Sequence, residues 1–285
     1  MNEEVGFMKG QEGKLITMRM NEKGQMAAPA TCKMTAGDFK NNNGTSVYWL
    51  GGGGAVINSH GTIILIDPVL EGFDMPLLID IPVATQDIPK VDAILLTHSD
   101  SDHYSKATCK ALKQVCREFH ATHYVASLLK DECGIDGIGH DIGEHIQVAD
   151  VDIELTPADH AWQRMFEEYN YRVWEDGECC GFYLRTSDAT IWCVGDSKLM
   201  ECQLHMDPPD VILFDFSDDF AHIGLENSYK LANTYPDAKL VLIHWGTVDA
   251  PEGKPFNGNP QNVFDNVVNP ERVILLAPGQ EYRMK

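Results

Sequence analysis

The sequence has no Cys-x-x-Cys pair, no continuous apolar run of 18 residues and few basic side chains. Its eight cysteines are scattered, with only Cys179 and Cys180 adjacent, which argues against both a disulfide framework and a zinc ribbon. Without a long apolar run, no membrane-spanning helix is expected. Lys and Arg together number 22 against 43 Asp and Glu, a formal charge of -21. Such a surface repels phosphate backbones, so nucleic acid is not an expected partner. The first residues, Met1-Asn2-Glu3-Glu4, are acidic and lack the basic-then-apolar layout of a signal peptide, so the expected location is the cytoplasm. No GxxxxGKS/T phosphate loop, GxSxG nucleophile elbow, internal repeat or low-complexity segment occurs.

What is present suits a soluble globular protein. The 285 residues are 44% hydrophobic, with a mean hydropathy of -0.23, enough to bury a substantial core. Val91–Leu96 is a short, continuous apolar run that reads as a buried strand. It leads into Thr97-His98-Ser99-Asp100-Ser101-Asp102-His103, which places four metal-competent side chains within six residues. Ser105 then caps a helical pattern over Lys106–Cys116. The ligand-rich segment is therefore a strand-to-helix loop, where sites gather because the loop is exposed and its anchors are rigid.

The same arrangement recurs along the chain. Thr62–Ile66 ends in Asp67-Pro68, where Asp67 is either a turn residue or the support of a ligand histidine. Val151–Thr156 alternates and delivers His160, while Thr190–Val194 delivers Asp196. Val211–Phe214 delivers Asp215, with His222 following, and Lys239–Ile243 delivers His244. Any one of these alone is an ordinary turn residue; the succession points to one shared site. The glycine run Gly51–Gly54 implies close backbone approach or positive φ. Trp162–Trp174, with Phe166, Tyr169 and Tyr171 among charged residues, reads as a loop or short helix that shapes a pocket. Arg164 and Arg172 are its candidate anion contacts, and the irregular Asp249–Pro260 segment is a candidate rim. Residues 1–45 are weakly patterned and read as an extension, packed on the domain or at a subunit contact, before a domain over 46–285.

In order, HxDxDH, a distant His, an Asp after a strand and a final His resemble the metallo-β-lactamase fold superfamily, whose usual first motif is HxHxDH. Trp49-Leu50-Gly51, Ile66-Asp67-Pro68 and His244-Trp245-Gly246 look most like its L-ascorbate-6-phosphate lactonase-like branch. The resemblance implies an α/β fold, an αββα four-layer sandwich of two mixed β-sheets flanked by helices. It also implies two divalent metal ions per chain. His98, Asp100 and His160 would hold one, Asp102, His103 and His244 the other, with Asp196 bridging both. Asp100 stands where most members carry histidine, and its hard oxygen makes manganese or iron as plausible as zinc. The implied activity is a metal-dependent hydrolase in which a metal-bridging hydroxide attacks a small-molecule lactone, ester, amide or phosphate ester. Asp102 would also accept a hydrogen bond from the nucleophile. His222 is either a capping or solvent-facing residue or a substrate contact and proton donor. Relatives in that branch assemble, so a homo-oligomer is among the expected states. The alternatives are a di-iron redox protein and a non-catalytic ligand-binding domain on the same fold.

Overall fold

Apolar runs that are buried on both faces build this molecule, as expected of strands with another layer on either side. The coordinates are a computed structural model and describe residues 3–9, 15–169, 175 and 177–284. Among these residues, the first large sheet contains β4 (Thr45–Gly51), β5 (Gly54–Ser59), β6 (Thr62–Ile66), β7 (Val91–Leu96), β8 (Cys116–Thr122) and β9 (Ile138–His140). The second contains β10 (His145–Val148), β11 (Val151–Pro157), β12 (Cys180–Arg185), β13 (Thr190–Cys193), β14 (Val211–Phe214), β15 (Lys239–Leu242) and β16 (Val273–Ile274). Strand β17 (Glu281–Arg283) returns to pair with β4. In both sheets the early strands pair antiparallel, while β6 to β9 and β13 to β16 run parallel.

The alternation of side chains assigns the layers. Ile57, Ile64, Ile66 and Leu95 turn inward and share a core with Ile153, Leu155, Phe182 and Leu184 of the second sheet. Their neighbours Val56, Ile63, Leu65, Ile94 and Leu96 turn the other way, against α1 (Lys106–Leu112) and α2 (His123–Leu128). On the far side, α3 (Leu225–Thr234) and α4 (Pro260–Asn266) bury Leu231, Ala232, Val263 and Phe264 in a cluster continuous with that core. The expected four-layer α/β sandwich is observed.

Helix α1 begins as expected: Ser105 Oγ accepts from Thr108 N at 3.0 Å. It stops at Leu112, short of the Cys116 expected from the pattern. The sheet claims that residue instead. Cys116 pairs with Val91, and Val91 N donates to Val115 O, so parallel pairing outweighs the modest helical preference of Val115. Toward the N-terminus, β1 (Glu3–Lys9), β2 (Leu15–Met20) and β3 (Met26–Ala27) form a third, antiparallel sheet. The following residues lie along the sandwich, with Ala28 N donating to Gly246 O, Cys32 N to Pro278 O and Met34 N to Pro82 O.

Candidate metal centre

The carboxyl ends of β6, β7, β11, β13 and β15 converge at one edge of the sandwich, and each carries a polar residue into the same buried cluster. His98 Nε2 lies 3.5 Å and His160 Nε2 3.3 Å from Asp100 Oδ2. Asp102 Oδ2 lies 3.3 Å from His244 Nε2 and 3.8 Å from His103 Nε2. Asp196 Oδ2 stands between the two groups, 3.1 Å from His103 Nε2, 3.4 Å from His244 Nε2 and 4.0 Å from His160 Nε2. Ligand atoms of Asp102, His103, Asp196 and His244 lie within 4.8 Å of one another, and those of His98, His160 and Asp196 do likewise.

Each imidazole is turned by a hydrogen bond on its outer nitrogen. His103 Nδ1 is 2.8 Å from Asp67 Oδ2, and His160 Nδ1 is 3.0 Å from Ala221 O. His244 Nδ1 faces Pro255 O and Ser217 Oγ, both at 3.2 Å. Thr97 Oγ1 donates to Asp67 Oδ2, which leaves its lone pair for His98 Nδ1 at 2.9 Å. Nδ1 thus carries a proton in all four rings, and Nε2 is the atom turned toward the carboxylates. Metal-bound histidines are oriented in this way by their outer partners.

The backbone gives way where the cluster needs room. A Cβ on Gly53 would lie 2.4 Å from His103 Cε1, so only glycine allows the close approach. His244 and Asp67 themselves sit at positive φ, 61° and 43°, a strained conformation that gathers at functional sites.

Electrostatics make the cluster hungry for cations. Burial opposes ionisation of Asp102, yet His103 and His244 bring its carboxyl down to about 2. Asp196 lies well below the ordinary carboxylate range against the same burial, held there by His103, His244 and His222, and Asp100 is lowered by His160 and His98. Burial pushes His98 down, whereas Asp196, Asp102 and Asp67 overcome burial and raise His103 well above its usual value. Three ionised carboxylates are therefore balanced by imidazolium protons, the charge that a divalent cation supplies when it displaces them. The donor set, three carboxylates and four inward Nε2 atoms, fits divalent metal.

A cavity of about 430 Å³ opens over the cluster. The side chains of Asp100 and Asp102, 20% and 19% exposed, form its floor with Asp196 and His160. His222 lines it too and is buried: Nε2 is 2.9 Å from Asp196 Oδ2 and Nδ1 2.9 Å from Asp219 Oδ1. It is not solvent-facing. Trp162 and Glu252–Phe256 complete the wall with Phe220. Arg164 is exposed and outside that lining, while Tyr171, Arg172 and Trp174 lie outside the described residues. The sequence did not single out Asp219, whose Asp-x-x-His spacing from His222 is its only signal, or Ser217, whose N–H donates to Asp215 Oδ1 at 2.9 Å.

A family profile described as a beta-lactamase superfamily domain matches residues 62–245, from the start of β6 to just past His244. The chain belongs to this superfamily. A UPF0173 metal-dependent hydrolase of Caldivirga maquilingensis is 27% identical over 240 residues, which cover 81% of this chain and 94% of the relative. Another, of Methanosphaera stadtmanae, is 28% identical over 234 residues, 80% of this chain and 94% of the relative. The solved structure of Igni18, a novel metallo hydrolase from Ignicoccus hospitalis, has a TM-score of 0.66 at 20% identity, covering 85% of this chain and 99% of that one. At that identity it shows the shared metallo-β-lactamase fold. Together these likenesses support a metal-dependent hydrolase of the beta-lactamase superfamily.

Proposed function

We propose that the chain is a dinuclear metal-dependent hydrolase of a small-molecule lactone, ester, amide or phosphate ester. The outward Nδ1 bonds and inward Nε2 atoms of four imidazoles around three ionised carboxylates carry this reading. On it, His98, Asp100 and His160 would hold one ion and Asp102, His103 and His244 the other, with Asp196 available to both. Divalent metal held by these residues would supply a coordinated water of near-neutral pKa and polarise the bond under attack. Because Asp100 supplies an anionic oxygen, manganese or iron suits its site as well as zinc.

The side chains do the rest. Asp102, open to the cavity, accepts a hydrogen bond from the attacking water and aligns it. His222, steadied by Asp219, gives the leaving group a proton and is recharged by the proton the water loses. Trp49-Leu50-Gly51 and His244-Trp245-Gly246 support a place near the lactonase-like branch: Trp49 stacks on Trp245 at 6.0 Å, and His244 N donates to Gly52 O. Residues 1–45 are an extension of a hydrolase domain over 46–285. All eight cysteines are free, in keeping with a reducing cytoplasm.

Metal analysis of protein purified without added metal, combined with a panel of lactones, esters, amides and phosphate esters, tests the proposal. About two ions per chain are expected, with turnover lost in His98→Ala. His222→Ala keeps its metal but turns over about 10²- to 10⁴-fold more slowly. Turnover that survives complete metal removal would refute the mechanism.

A further inference from the structure

We infer, on the hydrolase reading above, that the cavity takes an uncharged substrate whose leaving group is aromatic or bulky and apolar. Above its polar floor the wall is made of Trp162, Phe220, Ala221, Pro255 and Phe256. Phe220 is 49% exposed, a large apolar side chain left open at the mouth. It is held from behind by Phe166, ring centroids 5.6 Å apart, and Phe166 in turn packs edge-on to Trp162. Phe256 is steadied against the His244 ring. An aromatic frame of this kind, set over a few convergent polar groups, fits a flat apolar group. Beyond Asp102 and Phe256, a narrow cavity of about 30 Å³ lined by Leu50, Leu77, Ile79 and Val248 is apolar as well.

The charge around the cavity points the same way. Lys254 is the only lysine or arginine among the described residues that line it, and it is exposed, two residues from the equally exposed Glu252. A phosphorylated or carboxylated group away from the reacting bond would normally meet a planar guanidinium or several fixed cations. Here it would meet Asp219 and Glu252 instead. Trp162 also ties this wall to the cluster, because its indole N–H donates to Asp100 Oδ2 at 2.9 Å.

Two esters that share an acetyl group and an aryl leaving group but differ by one charge isolate the inference: 4-methylphenyl acetate and 4-acetoxybenzoate. With the metal-loaded protein, the neutral ester is expected to have a KM about tenfold lower or better, and Phe220→Ala to raise KM about tenfold for both esters, whose aryl ring is the same. Lys254→Ala is expected to leave the order of the two unchanged. Binding of 4-methylphenol, followed by tryptophan fluorescence, is expected in the wild type and weakened in Phe220→Ala. Binding of 4-methylphenol with no turnover of either ester or of any member of the lactone, ester, amide and phosphate ester panel leaves the cavity assignment standing and removes the hydrolase reading. Tighter use of the carboxylated ester, with the advantage lost in Lys254→Ala, overturns the inference and leaves the hydrolase reading intact. Absence of 4-methylphenol binding overturns it as well.

Discussion

Asp67 shows how much a single side chain organises here. One oxygen accepts from Thr97 N at 2.8 Å, and the other receives Thr97 Oγ1 at 2.6 Å and faces His103 Nδ1 at 2.8 Å. Asn cannot accept on both sides, because its amide nitrogen donates only. Asp67→Asn is therefore expected to release the His103 ring and weaken metal affinity about 10- to 100-fold. Competition with a fluorescent chelator measures that loss, and an unchanged affinity would remove Asp67 from the positioning of His103. In the sequence, Asp67 was equally a strand-ending turn residue. What decides between the two is the parallel pairing of β6 with β7, which sets Asp67 N on Leu95 O and brings the carboxylate beside Thr97. Asp100 was legible as a departure from the histidine motif, but the indole that holds it was not.

Whole elements are fastened by a buried cation away from the site. Arg272 is 2% exposed and sends its guanidinium to main-chain carbonyls: Ala232 O at 2.8 Å, Ala238 O at 2.8 Å and Tyr235 O at 3.2 Å, with Nε to Val268 O at 2.9 Å. These carbonyls close the end of α3, the turn into β15 and the approach to β16. Burial lowers the pKa of Arg272, yet an arginine keeps its charge at any physiological pH. Arg272→Leu leaves those acceptors without their donor, at a cost of about 3 kcal/mol. Urea denaturation should show the drop in midpoint while metal content stays intact; a midpoint unchanged from wild type would mean that water replaces the guanidinium. Element identity was readable where apolar runs were strong, as at β6, β7, β14 and β15. Strand β8 was not separated from α1, because Arg117 and Glu118 interrupt its apolar pattern, and only pairing with β7 extends it.

For the molecule as a whole, the formal charge of -21 and the buried carboxylates act together. Removing metal leaves Asp100, Asp102 and Asp196 to be balanced by protons alone, within a surface of the same sign. Ligand bound only to the folded chain adds about 4 kcal/mol when it is a thousandfold above its dissociation constant. Chelation is therefore expected to lower Tm, and to lower it further at low ionic strength, where the surface repulsion is least screened. Calorimetry with and without chelator at two salt concentrations checks both; equal Tm values would argue that no metal supports the fold.

By itself the sequence determined the succession of buried strands, the placing of His and Asp at their carboxyl ends and the superfamily those residues resemble. These are local properties, because strand burial follows from runs of neighbouring apolar side chains and ligand position from the residue that ends each run. The tertiary structure alone decided which imidazoles face which carboxylates, how Nδ1 is tied off in each ring and that Asp219 stands behind His222. It also decided that Trp162, Phe220 and Phe256, from separate segments, form one aromatic wall. Those relations depend on sheet register and on the packing of distant loops, and neither leaves a periodic mark in the chain.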